Sequence, residues 1–402
     1  MEINGTNSDN YLRYCPSYNA TQINISKPMA NVPAQSVVYD YPNAGGQLYY
    51  PPVQTNPVPF GERSIHIPSG VEDYNNYIEV DTTGKEVANV QYSKNGDTLI
   101  QNLRTKSPDG TVLEKTLTNS PDLKTSVINI TDKVGNVIFT KNKSYKKIDD
   151  NTAQTTLNGE VYNISGLKGD IITVEHNGQS INIDLNKMLK PDVKTLKSVT
   201  SPDNLPIRDN KITNEEKQKL FNRIKSLSGD DLVRLSKSVE HIQFLDDKSI
   251  ESFFVESDKT LLLSPKDWEN KHLVTEHELG HAITYTHSKD NKTSILSDNE
   301  SFKNVRAYEK ENFKNNKSDT VGDKMFGSKF MFGNSDLAWS NGDEDGEEAN
   351  LRNETFAECY NNLNNMDIIH YEDEVLPSRT LSLFKYMPKT MIEADKLSNI
   401  EK

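Results

Sequence analysis

The chain has 402 residues and a net charge of −13, with 59 acidic against 46 basic residues. Its mean hydropathy is −0.72 and only 34% of its residues are hydrophobic, so part of the length is thin sheet or disorder, not packed interior. The acidic balance, with no long Lys/Arg run, argues against a nucleic-acid or anionic-membrane partner, and Cys15 and Cys359 alone cannot build a disulfide framework or a cysteine zinc site.

No run approaches the roughly 18 apolar residues of a transmembrane segment. The opening "MEINGTNSDN" has no basic and apolar signal pattern, so the expectation is a secreted protein exported by a signal-less route, with cytoplasmic residence as the alternative. Residues 1–65, including "YPNAGGQLYYPPVQTNPVPFGE", are too rich in proline for helix interiors or central strands and read as a disordered leader.

From 66 to 190 the texture changes to short Val/Ile/Thr/Tyr runs separated by turn dipeptides: Asn95-Gly96, Asp109-Gly110, Gly135-Asn136, Asn158-Gly159 and Asn177-Gly178. Asn-Gly and Asp-Gly suit the positive φ of tight hairpin turns, so a succession of antiparallel hairpins is expected, its even spacing hinting at degenerate repeats. No catalytic constellation falls there, and the region reads as scaffold.

Residues 191–206, with two Pro-Asp steps nearby, read as a linker, and 207–402 as a second domain of helical texture. Thr213 followed by Glu216 predicts a capping box ahead of the stripe Leu220, Phe221, Ile224 and Leu227; a second stripe is Leu232, Leu235, Val239 and Ile242. "KTLLL" (259–263) predicts a strand, and "TEHELGHAITYTH" (275–287) begins a helix.

That last stretch carries the chemistry. Four of the eight histidines fall between positions 272 and 287. In "HELGH", His277 and His281 lie one helical turn apart and can grip one cation, while Glu278 on the adjoining face is placed to take a proton from a metal-bound water. Two residues compete as third ligand. His287 has the spacing of the metzincin pattern, but Thr284 stands where that pattern uses glycine to break the helix, and on an unbroken helix His287 points elsewhere. The other is Glu354 in "RNETFAECYNNL", which shares a helical face with Glu358, a carboxylate suited to orient a ligating histidine. The acidic "DEDGEE" (343–348) lacks the ligand spacing of a calcium loop and reads as a flexible insertion.

The pairing of HELGH with Glu-x-x-x-Glu resembles the gluzincin metalloproteases. "HELGHA", "NETFAECY" and "YMPKTMIEAD" together are similar to the catalytic domains of anthrax lethal factor and its (ATLF-like) relatives, over roughly residues 205–402. The resemblance implies one Zn²⁺ per chain bound by His277, His281 and Glu354, with Glu278 as general base and Glu358 behind a histidine. It implies a toxin-like hydrolase acting on a polypeptide substrate. That family places a tyrosine shortly before the ligand glutamate; here the positions hold Glu347, Glu348 and Asn350, and Tyr308 is a candidate oxyanion donor, with His370 and Tyr371 as other possibilities. Leu261, Leu262 and Leu263 are expected to form the sheet edge on which an extended substrate adds as a strand. The expected fold class is thus α+β: a mostly helical zincin-like C-terminal domain, preceded by an all-β hairpin-rich domain and a disordered leader. Two alternatives stand beside it: a catalytically impaired zincin-fold binding or surface protein, and a metzincin-type protease using His287.

Overall fold

The computed structural model describes residues 63–189 apart from 73 and 82, then 212–245, 252–255, 259–263, 274–287, 293–316, 344–368 and 375–399, together with 41–42 and 48–49. Within the expected leader, β1 (Tyr41–Pro42) pairs antiparallel with β2 (Leu48–Tyr49), and the leader's last three residues, 63–65, already belong to a strand; the rest of the leader, and the linker expected at 191–206, lie outside the described residues.

The molecule is built on one antiparallel sheet of eleven strands in sequence order: β3 (Arg63–Val71), β4 (Tyr74–Val80), β5 (Glu86–Asn95), β6 (Thr98–Lys106), β7 (Val112–Asn119), β8 (Leu123–Thr131), β9 (Val137–Lys147), β10 (Thr152–Leu157), β11 (Glu160–Ser165), β12 (Ile171–His176) and β13 (Gln179–Asp184). Local chemistry explains the meander. Asn158 and Gly159, and again Asn177 and Gly178, all take positive φ, as tight two-residue hairpins require. Three of the hairpins repeat a side-chain pair on the outer face, Asn102 with Thr116, Asn129 with Thr140 and Thr173 with Asn182, each hydrogen-bonded across directly opposed strands.

The helices cover the inner face. α1 (Leu185–Met188) leaves the sheet, and α2 (Asn214–Lys225) starts at the expected capping box, Thr213 and Glu216 bonding reciprocally. α3 (Gly229–Ser238) follows; Ile242, expected on its stripe, instead lies in β14 (His241–Phe244). β15 (Phe253–Val255) and β16 (Thr260–Leu263) complete a three-stranded sheet. Then come α4 (Val274–Thr284), a short hairpin of β17 (Tyr285–His287) and β18 (Thr293–Ile295), and four helices: α5 (Glu300–Asn316), α6 (Glu344–Asn364), α7 (Val375–Tyr386) and α8 (Pro388–Ser398).

This corrects the expected fold class. Strand makes up 42% of the described residues and helix 37%, so the large β-sheet, not a mostly helical body, dominates the molecule. The main apolar core runs from Leu113, Ile128 and Ile164 on the sheet to Phe221, Leu279, Phe356 and Phe384 on the helices, and a smaller cluster gathers Leu245, Val255 and Leu262. Between these apolar contacts the sheet's inner face carries lysines. Lys143, 2% exposed, donates to Asp231 on α3 at 2.6 Å; Lys141 pairs with Asp395 on α8, and Glu79 on β4 receives Lys385 from α7 at 3.1 Å. Buried charges of this kind persist only when paired, so these three ion pairs join the sheet to the helical layer.

The small sheet brings a second correction. β16 lies between β14, to which it is parallel, and β15, to which it is antiparallel. Leu261, Leu262 and Leu263 are therefore central, with both ladders taken and all three side chains at most 4% exposed. No further strand can add to them. One edge, β14, is bridged by Leu189 at Ile242; among the described residues, the other edge, β15, has no strand beyond it.

Candidate metal centre

α4 presents two faces. Leu279, Ala282 and Ile283 enter the core, while His277 and His281 face α6. The helix stops at Thr284, whose hydroxyl donates to the Gly280 carbonyl at 2.9 Å, and the chain turns into β17 without any left-handed residue. The expectation of an unbroken helix through His287 is thus corrected. The His287 side chain lies outside the described residues.

The second helix crosses α4 at close range. A Cβ on Gly280 would lie 2.8 Å from the Ala357 Cα, so the residue between the two histidines has no room for a side chain. At this crossing the His277 and His281 Nε2 atoms are 3.1 Å apart, and each is 3.4 Å from a carboxylate oxygen of Glu354. Donors about 2.0–2.1 Å from a tetrahedral zinc stand about 3.3 Å from one another, so the three side chains fit the ion. Among the described residues, this is the one group of three or more His, Cys, Asp and Glu side chains close enough to hold a metal.

The surrounding charges hold the donors in place. Burial disfavours the charged form of His277, but hydrogen bonds and charge from Glu354 and Glu358 outweigh it and raise its pKa well above the usual histidine value. His281 is raised in the same way, against burial, chiefly by Glu354 and with a contribution from the Glu278 charge. Burial pushes the Glu354 carboxyl up, yet the two imidazoles win and hold it well below the ordinary range. Glu358 places Oε1 at 3.4 Å from His277 Nδ1, and Glu278 is buried beside the pair.

Other expected residues sit elsewhere. Tyr308 on α5 is 51% exposed and lies under the Lys389 ammonium, 5.1 Å from the ring centre, where Lys389 pairs with Asp109 of the β6–β7 turn. No contact among the described residues joins it to the three donors. The acidic 344–348 stretch is no loop: it forms the first turns of α6, where Glu348 pairs with Arg306 and Lys310.

A different tyrosine is at hand. Tyr285 follows His281 by four residues, continuing the 277/281 spacing past the helix end. Its hydroxyl accepts from the Asn353 amide at 3.2 Å, next to Glu354, and its ring stacks at 6.1 Å on Phe254 of β15. The i, i+4, i+8 spacing was the available signal. Arg223 also escaped the sequence reading: it donates to Glu276 at 2.6 Å and so ties α2 to the start of the histidine helix.

Family models, curated proteins and solved structures yield no match to this chain.

Proposed function

We propose that the protein is a zinc-dependent metalloendopeptidase. The observation that carries this reading is the meeting of His277, His281 and Glu354, about 70 residues apart in sequence, at separations suited to a tetrahedral ion, with the Glu278 carboxylate beside them. A structural zinc site has no use for such a neighbouring base. The resemblance of "HELGHA" and "NETFAECY" to the lethal-factor group supports the same conclusion.

Zinc, when bound, supplies a Lewis acid that acidifies water and polarises a carbonyl. The chain's own residues do the rest. Glu358 Oε1 stands 3.4 Å from His277 Nδ1, placed to orient that ring, while Nε2 faces His281 and Glu354. Glu278 takes the proton of the attacking water and returns it to the departing amine. An extended peptide adds to the outer edge of β15, and Tyr285, between Phe254 of that edge and Asn353 beside Glu354, faces the bond to be cut.

The experiment combines zinc analysis with digestion of a peptide library. Glu278→Ala keeps zinc and loses cleavage, Glu354→Ala loses both, and His287→Ala changes neither. A Glu278→Ala protein that still cleaves, or a parent without zinc, refutes the proposal; loss of zinc in His287→Ala favours the metzincin arrangement.

A further inference from the structure

The large sheet reaches the metal centre through the end of α6. Three neighbouring strands each send a lysine into the segment that terminates this helix. Lys115 of β7 donates to the carbonyl oxygens of Asn362 and Asn365, at 2.7 and 3.0 Å. Lys143 of β9 reaches the Asn364 side chain at 3.3 Å, and Lys124 of β8 pairs with Asp367. Carbonyls in the last turn of a helix lack intrahelical donors and carry the negative end of its dipole, so a buried amine there both satisfies and locates them.

From that point the contacts continue inward. The Asn362 amide donates to Glu358 Oε2 at 3.1 Å, and the other oxygen of Glu358 faces His277 Nδ1. A second route runs beside it: Asp367 lies 3.7 Å from Arg223, which in turn grips Glu276, the residue before His277. Both routes begin on the sheet and end at one histidine.

We propose that Lys115 is a positioning residue of the metal centre, holding the end of α6 from the sheet so that Asn362 keeps Glu358 against His277. This rests on the zinc reading above. It makes the eleven-stranded sheet a working part of the site and not an appended scaffold. Asn362 is the intermediate of the arrangement and Glu358 its last member; Lys115 touches neither the ion nor any substrate.

The test uses the full chain, with Zn²⁺ affinity measured by chelator competition and the visible spectrum of the Co²⁺-loaded protein as a second readout. Lys115→Met and Asn362→Leu should each weaken zinc binding about ten- to a hundredfold, the range found when groups behind metal ligands are removed, and should shift the Co²⁺ bands. The control is the double variant Glu79→Gln with Lys385→Met, which removes another buried sheet–helix pair without touching α6. It should lose thermal stability but keep zinc affinity and the Co²⁺ spectrum. Lys115→Met and Asn362→Leu proteins that bind zinc within twofold of the parent overturn the inference and leave the zinc reading standing. So does a control that loses as much affinity as they do. A parent that binds no zinc overturns both. If Lys115→Met does not fold, Asn362→Leu decides by the same measurements.

Discussion

Gly280 and Ala357 face each other where α4 crosses α6, and a methyl group on Gly280 would come within 2.8 Å of the Ala357 Cα and 3.0 Å of its carbonyl oxygen. Both obstructing atoms are backbone, so they cannot swing aside as a flexible side chain can. Alanine gains about 1 kcal/mol of helix propensity over glycine, whereas forcing a methyl into a packed contact costs about 1–3 kcal/mol. The clash wins. Gly280→Ala should lower the unfolding midpoint of the metal-free protein and weaken zinc binding at least tenfold, because the two helices carry different ligands. Calorimetry and chelator competition check this; a Gly280→Ala protein with parental affinity means that the crossing does not set the ligand spacing.

Leu262 sits at 0% exposure in the middle strand of the small sheet. Leu262→Pro removes a ladder donor there and should destabilise the fold instead of raising KM alone. The substrate effect belongs to β15: Phe254→Ala should raise KM for extended peptides several-fold while the unfolding temperature moves little. Steady-state kinetics beside a thermal melt separates the two.

Tyr285 and Tyr308 make opposite predictions. Tyr285→Phe removes the hydroxyl that accepts from Asn353 and should reduce kcat about a hundred- to a thousandfold with little change in KM, of the order seen for loss of an oxyanion donor. Tyr308→Phe, on the exposed side of α5, should leave kcat unchanged. If the Tyr308 variant is the slow one, the placement of the substrate along β15 is wrong.

Lys115 should write its burial into the pH dependence of stability. Desolvation first, then the nearby Lys141 and Lys143 charges, bring its pKa down from 10.5 to about 7, with Asp367 opposing. As a neutral amine it still donates to both carbonyls. Between about pH 7 and 10.5 the unfolded chain therefore binds a proton that the folded chain does not, and stability rises with pH through that window. The slope from one such group approaches about 1.4 kcal/mol per pH unit, and it vanishes below pH 7, where both states are protonated. Lys141, also lowered by burial, steepens the same limb, so the measurement is the difference between the parent and Lys115→Met. Denaturant titrations of the metal-free protein at several pH values should show a flatter limb in the variant.

What was legible beforehand follows from range. Turns such as Asn177-Gly178, the Thr213 capping box and the HELGH spacing depend on residues within a few positions of one another, so the sequence displays them directly. The inward lysines defeated the same reading. In "VLEKTLTN", Leu113, Lys115 and Leu117 share a face, and a lysine there looks like solvent exposure until its partner, about 250 residues later, is known. Tyr285 keeps the four-residue spacing of His277 and His281 although it lies one residue past the end of α4, where a helical period carries no local signal.

The sequence by itself determined the hairpins, the capped start of α2 and the pairing of His277 with His281, since each arises from backbone preference or periodicity over one or two turns; between Glu354 and His287 it left the third ligand open. The tertiary structure alone decided that Leu261–Leu263 are central and β15 is the edge, that the sheet's lysines are buried against the helices, and that Glu354 meets the two histidines. Strand order, ion pairing and the crossing at Gly280 are contacts between segments tens to hundreds of residues apart. They are selected by burial and charge compensation of the whole, which no local stretch contains.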